Sequence, residues 1–254
     1  MILQFDAGNT RVKWRLTGFD HKMKHEHQMI GSFLMEANSP EWDEKFCRYF
    51  SEIDFPSVRR VLVSNVRGSR FGKVLVDLVR SLFSVEPDLA QPSRLCAGVT
   101  CGYRAPETLG VDRWLSLLAA YNDAKKNCWI LSCGTTITLD FVDASGMHAG
   151  GYIVPGFRLM QHALESRIPK LVADVEQLGG MLPGRDTSEA INHGLLAMVV
   201  GFVARISREQ TASGRPTSWI VTGGDGEKLV PFLECAVEWR PALVMEGLFY
   251  AFPD

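Results

Sequence analysis

Asp112 and Arg113 stand side by side where an irregular stretch rich in Pro and Gly gives way to an apolar-periodic segment. A carboxylate at a helix start beside a permanent cation can take a proton from a hydroxyl, while the guanidinium holds a carboxylate or phosphate. Asp112 also suits a plain helix N-cap. Three further runs join the end of a strand to glycine: Asp6-Ala7-Gly8-Asn9-Thr10, Ser132-Cys133-Gly134-Thr135-Thr136 and Thr222-Gly223-Gly224-Asp225-Gly226. Glycine lets backbone N–H groups approach a ligand, and clustered N–H groups favour anions. Thr and Asn side chains add hydrogen bonds, and Lys13 can reach a phosphate. Read singly, each run is as well explained as a tight turn. Read together, they favour nucleotide phosphates, although neither a Gly-Lys-Ser/Thr phosphate loop nor G-x-G-x-x-G is present. His21, His25 and His27 lie in a polar stretch and read either as a metal site or, more simply, as a solvated loop.

The elements that must carry these residues follow from periodicity. Residues 2–5 and 12–16 read as two strands joined through Gly8 and Asn9, a hairpin. Ser39, Pro40 and Glu41 open a helix with a capping hydroxyl, a first-turn proline and an acid near the positive end. Its apolar stripe is Trp42, Phe46, Tyr49, Phe50 and Ile53. Residues 61–66 read as a buried strand, and Phe71, Val74, Leu75, Leu78, Val79 and Leu82 as one face of a helix. Residues 90–112 are irregular, and a helix runs over 113–124. The opening pattern then returns, with 129–136 laid out like 3–10 and Gly134 about half a chain beyond Gly8. Residues 138–142 and 150–154 continue as strands, followed by a helix after Pro155-Gly156. A long apolar helix starts near Thr187, with Gly194 and Gly201 allowing close packing, and a last strand leads into Thr222. Strand, helix and strand in alternation imply an α/β fold, and the repeated layout implies halves at 1–122 and 123–254.

Composition narrows the class. The 254 residues are 46% hydrophobic and 22% charged, which excludes wholesale disorder. Lys plus Arg is 27 and Asp plus Glu 29, a formal charge of -2, so a nucleic-acid partner is not expected. No apolar run reaches the roughly 18–20 residues of a membrane span, and the acidic N-terminal run lacks a signal peptide's basic region. The six cysteines show no zinc spacing and read as reduced thiols of a cytoplasmic protein.

The order and spacing of six motifs resemble the type III pantothenate kinases of the acetate and sugar kinase, heat-shock protein and actin superfamily. They are Asp6-x-Gly8-Asn9-Thr10, Tyr103-x2-Pro106-x3-Gly110-x-Asp112-Arg113 and Gly134-Thr135-x2-Thr138-x-Asp140. Gly150-Gly151-Tyr152-Ile153-Val154-Pro155-Gly156, Thr187-x3-Ile191-x2-Gly194 and Thr222-Gly223-Gly224-Asp225 complete the set. The resemblance implies two ribonuclease-H-like, actin-like ATPase halves with a nucleotide cleft between them, and a homodimer. It implies phosphorylation of pantothenate by ATP, with magnesium and a monovalent cation, potassium or ammonium. Asp6, Ala7, Gly8, Asn9, Thr10, Arg11, Val12 and Lys13 would form the first phosphate loop. Gly134, Thr135, Thr136, Gly223 and Gly224 would complete the nucleotide contacts. Tyr103, Gly110, Val111, Asp112, Arg113 and Thr187 would bind pantothenate, with Asp112 as general base. Two positions depart from the family pattern: Ser132 replaces the Asp of the monovalent-cation site, and Ile168 replaces a substrate-facing Thr. The loss at Ser132 also opens an alternative, a non-catalytic relative acting as a Bvg-type transcription accessory factor.

Overall fold

A computed structural model describes residues 1–18, 29–34, 42–168, 179–212 and 217–253. The histidines at 21, 25 and 27 and the helix opening at Ser39, Pro40 and Glu41 lie outside the described residues. Contacts divide the chain into two units, Met1–Asn122 with Leu243–Asp254, and Asp123–Ala242.

In the first unit, β1 (Ile2–Ala7), β2 (Arg11–Thr17) and β3 (Met29–Leu34) form an antiparallel meander. After helix α1 (Trp42–Ser51), β4 (Arg60–Asn65) returns parallel to β1 on its other side. After α2 (Gly68–Phe83), the short β5 (Pro87–Leu89) pairs parallel with β4, giving the order β3-β2-β1-β4-β5. Side chains alternate between the faces of a strand. Leu3, Phe5 and Ala7 of β1, with Val12, Trp14 and Leu16 of β2, therefore all reach one core. There they meet Phe46 and Phe50 of α1 and Phe71, Leu75 and Val79 of α2. The Phe46 and Phe50 rings lie 4.6 Å apart, and Phe50 meets Phe5 edge-on at 5.4 Å.

A two-strand hairpin, β6 (Leu95–Cys96) and β7 (Val99–Thr100), interrupts the segment expected to be irregular, and α3 (Val111–Ala124) follows. The opposite face of the first sheet, with Ile2, Gln4 and Leu62 fully buried, needs a cover. It comes from the end of the chain. Helix α7 (Leu243–Ala251) packs on β1 and β4. Gln4 Nε2 donates to the Met245 carbonyl at 2.8 Å, Arg15 Nε donates to Gln4 Oε1 at 2.8 Å, and the Arg15 guanidinium lies 5.7 Å from the Phe249 ring centre. The last helix thus belongs with the first unit, where the sequence division at 122/123 places it in the second half.

The second unit repeats the plan. Strands β8 (Cys128–Cys133), β9 (Thr136–Val142) and β10 (His148–Pro155) form a meander, and α4 (Phe157–Arg167) and α5 (Thr187–Ala212) follow. β11 (Ser218–Thr222) returns parallel to β8, and beyond α6 (Gly226–Leu229) the two-residue β12 (Glu238–Trp239) pairs parallel with β11. The order β10-β9-β8-β11-β12 matches that of the first unit strand for strand, the ribonuclease-H-like arrangement. Trp129, Leu131, Ile137, Leu139, Trp219 and Val221 pack against Phe157, Leu196, Val199 and Val203, with Trp129 and Trp219 stacked at 5.8 Å.

Helix α5 bears on two expectations. It is long and apolar enough to cross a membrane by length and composition, yet Leu196, Val199, Val200, Val203 and Ile206 pack into the core of this unit. Among the described residues Gly194 and Gly201 do not serve close packing, since a Cβ at either would meet nothing within 4 Å. None of the six cysteines forms a disulfide. Burial pushes the Cys128 thiol up to about 11 and Cys133 up to about 12, leaving both neutral at ordinary pH.

Close packing does operate at Gly247 of α7, where a Cβ would lie 2.1 Å from the Leu115 carbonyl oxygen of α3. Gly247→Ala is expected to lower the urea unfolding free energy by about 1–3 kcal/mol, the usual cost of overpacking. An unchanged unfolding midpoint would contradict this packing.

Candidate active site

The first unit gathers a set of charged groups at the C-terminal end of β1. The register of the meander sets Asp6 directly opposite Lys13 of β2, and the parallel pairing sets it beside Ser64 of β4. Beyond Asp6, the Gly8 N–H donates to the Arg11 carbonyl at 3.0 Å and closes the turn, leaving Asn9, Thr10 and Arg11 exposed. A Cβ on Gly8 would sit 3.2 Å from that carbonyl, a tight fit that favours glycine. Ala7 and Val12 flank the turn with side chains in the core and serve it only through their backbone.

Asp112 belongs to the same cluster. It lies one residue inside α3, and the Trp114 N–H bonds to the Gly110 carbonyl at 3.0 Å, so Gly110 holds the capping position and the reading of Asp112 as N-cap is corrected. Its Oδ1 accepts from the Arg113 N–H at 2.8 Å. A Cβ at Gly110 would lie 2.7 Å from the same Oδ1. Val111, nearly buried, anchors this first turn. Arg113 is almost fully buried and donates from Nη1 to the Tyr103 hydroxyl at 2.8 Å, with its guanidinium 5.5 Å from the ring centre. Sequence reasoning missed what holds Tyr103. Arg94 donates to the carbonyls of Cys101, Tyr103 and Arg104 at 3.0, 2.9 and 3.0 Å, stitching the loop from outside. No motif signals this, because every acceptor is main chain.

The electrostatics single out Asp6. Loss of water around its carboxylate raises its pKa from 3.8 to about 6; Lys13 opposes the rise, the negative charge of Asp112 adds to it, and the Ser64 hydroxyl opposes it. The two carboxylates, close enough to repel each other, are oxygen ligands of the kind a hard divalent ion takes, while the Lys13 ammonium beside Asp6 offsets part of their negative charge.

The second unit builds the equivalent position from neutral groups. Ser132 lies opposite Thr138 and beside Thr222, the register positions that Lys13 and Ser64 hold around Asp6. Three hydroxyl side chains thus replace a carboxylate, an ammonium and a hydroxyl. The donor set offers neutral oxygens where the resemblance implies an anionic one for a monovalent cation, a weaker ligand set for that ion. Beyond β8, the Gly134 N–H donates to the Thr136 carbonyl and the Gly156 N–H to the Thr135 carbonyl, both at 3.0 Å. A Cβ at Gly156 would lie 2.2 Å from the Gly134 oxygen. Gly223, at φ 91°, lets the chain turn against Cys133, where a Cβ would lie 2.2 Å from the carbonyl oxygen; the Asp225 N–H donates to the same oxygen at 3.1 Å. Gly134, Thr135, Thr136, Gly223 and Gly224 therefore converge at one end of β8, with Thr135 and Thr136 exposed and open space over Gly224. Thr187 is the exposed first residue of α5, and Ile168 is exposed just beyond α4. Among the described residues, no group of three His, Cys, Asp or Glu side chains is placed to hold a metal.

The raised pKa of Asp6 has a consequence for stability. The folded protein holds the Asp6 proton more tightly than the unfolded chain, so this group's contribution falls as pH rises from about 4 to about 6 and stays unfavourable above. The Tm of Asp6→Asn relative to the parent is expected to climb across that window and level off above it. A flat difference from pH 4 to 7 would contradict the assignment.

Comparison with known proteins agrees with this geometry. The sequence pattern of the type III pantothenate kinases matches residues 2–209. The type III pantothenate kinase of Pseudomonas savastanoi pv. phaseolicola is 35% identical over 262 residues, covering 100% of this chain and 99% of that protein. Among solved structures, a protein from Campylobacter jejuni described as a Baf family transcriptional activator aligns with TM-score 0.56 at 17% identity, over 98% of this chain and 96% of that one. A Sinorhizobium meliloti protein described as a 2-dehydro-3-deoxygalactonokinase aligns with TM-score 0.56 at 13% identity, over 99% and 98%. At those identities the two structures speak for the fold alone. The match over the whole length shows that this chain belongs to the type III pantothenate kinase family.

Proposed function

We infer that this protein is an ATP-dependent kinase that phosphorylates pantothenate to 4′-phosphopantothenate, the first step of coenzyme A synthesis. The observation that carries the reading is a family match over the full chain by a sequence that keeps Asp6, Lys13, Tyr103, Asp112 and Arg113. In the reaction the pantothenate hydroxyl oxygen bonds to the γ-phosphorus, the bond from that phosphorus to the β,γ-bridging oxygen breaks, and ADP leaves. The hydroxyl proton passes to Asp112. Phosphoryl transfer has a loose transition state, so positioning and charge neutralisation dominate. Arg113 and Tyr103, held to each other, position the carboxylate-bearing substrate, with Thr187 contributing from α5. The turn at Gly8, with Lys13, and the turns at Gly134 and Gly223 bind the nucleotide phosphates. Asp6 would offer an oxygen ligand to magnesium, which when bound would neutralise phosphate charge.

A homodimer in the cytoplasm is part of the proposal. The second unit exposes Tyr152 and Ile153 on the edge strand β10, Leu159 on α4, and Met198 at 63% exposure on α5. Gly194, Ala197, Met198 and Gly201 recur at helical spacing on the exposed side of α5, a smooth apolar strip opposite its core-facing side. Such a surface suits a second copy of the chain.

Asp112→Asn is expected to reduce kcat by about 10²–10⁴-fold, the contribution of a positioned base, while ATP binding measured by calorimetry persists. Unchanged kcat would remove Asp112 as the base. Because Ser132 brings no charge to its position, turnover in sodium is expected to stay within about twofold of that in potassium. Ser132→Asp is expected to introduce stimulation by potassium. Strong potassium dependence of the parent enzyme would contradict this reading.

A further inference from the structure

The turn after β1 is exposed at its tip and is closed by a main-chain hydrogen bond from the Gly8 N–H to the Arg11 carbonyl. A phosphate needs the peptide planes of such a turn in one orientation. The neighbouring strand supplies a further hold. Just beyond β4, the Val66 N–H donates to the Ala7 carbonyl at 3.1 Å, which ties the ends of β4 and β1 together. The next residue, Arg67, reaches across and donates from Nη1 to the carbonyl oxygen of Asn9.

Arg67 is itself held at both ends, by its main chain and by its guanidinium. Its backbone N–H donates to Asn65 Oδ1 at 3.0 Å, and Asn65 Nδ2 donates to the Gly68 carbonyl at 3.0 Å, setting the entry to α2. Gly72 makes room for that amide, since a Cβ there would lie 2.9 Å from Asn65 Nδ2. The guanidinium sits 4.9 Å from the centre of the Phe71 ring, and Phe71 stacks on Trp42 at 4.7 Å. A cation over an aromatic face is held by the ring's negative potential.

We propose that Arg67 is a positioning residue for nucleotide binding, acting through the Asn9 peptide. A trans peptide is planar, with its carbonyl and the following N–H pointing in opposite directions. Holding the Asn9 carbonyl toward Arg67 therefore turns the Thr10 N–H away from it, out of the turn. Arg67 sets the direction of a phosphate donor without touching substrate. This rests on the reading of the Gly8 turn as a phosphate loop.

Steady-state kinetics and calorimetry on the dimeric enzyme test both readings together. Arg67→Ala is expected to raise KM for ATP about tenfold, in the range for a lost charge-assisted hydrogen bond, and to leave kcat and KM for pantothenate within about twofold. Arg67→Lys, which keeps a donor and a charge, is expected to recover part of the loss. A purely structural role would instead lower Tm and shift both KM values together. If Arg67→Ala lowers Tm, Arg67→Lys and Arg67→Gln decide, and unchanged KM for ATP in Arg67→Gln overturns the proposal. Gly8→Val and Lys13→Ala serve as controls on the loop. Weakened ATP binding in these with none in the Arg67 variants refutes the role of Arg67 alone. No weakening in any of them refutes the phosphate-loop reading and the proposal with it.

Discussion

The end of β1 is flanked by two strands that run in opposite senses, and the placement of the charged groups depends on that pairing. An antiparallel neighbour brings Lys13 opposite Asp6, and a parallel neighbour brings Ser64 beside it. A carboxylate so enclosed loses water, and its pKa rises to about 6 despite the ammonium across the strand. Had β4 returned antiparallel, the chain would leave at the other end of the sheet, and Val66 would have no access to the Ala7 carbonyl. The main-chain tie, the carboxylate environment and the entry to α2 are thus products of one topological choice.

The two units make that choice twice with different side chains. Asp6, Lys13 and Ser64 in the first correspond by register to Ser132, Thr138 and Thr222 in the second. The tie is repeated too: the Val66 N–H on the Ala7 carbonyl finds its counterpart in the Asp225 N–H on the Cys133 carbonyl. Backbone geometry is kept while charge is not. The first unit thus keeps charged side chains at the end of its first strand, and the second keeps hydroxyls and main-chain amides there. The same contrast appears at the glycines. Gly156 and Gly223 are demanded by carbonyl oxygens within about 2.2 Å of any Cβ, whereas Gly224 faces open space.

Apolar surface divides similarly. Each sheet has one face covered by its own two helices, and the first also has α7. Helix α5 is apolar on both sides because only one of them serves the core.

Much of this was readable from the amino acids because the signals are local. The 3.6-residue recurrence from Phe71 to Leu82, the alternation in 12–16 and the glycines that stop each strand depend on near neighbours, and the corresponding elements formed where expected. The repeat of 3–10 at 129–136 foretold the duplicated sheet. Elements too short for any period escaped: β5, β6, β7 and β12 have two or three residues, and pairing alone defines them. Helix α7 gave no amphipathic pattern, and its place over Gln4 and Leu62 was decided by the vacant face of the first sheet. The types and order of the site residues were set locally. Which of them share an environment was set by tertiary structure: register across strands distant in sequence brings Asp6 beside Ser64 and Ser132 beside Thr222, and the packing of α3 and of the segment after β4 brings Asp112 near Asp6 and Arg67 to Asn9. Residue spacing encodes periods of two and 3.6, but it does not encode which strand lies beside which.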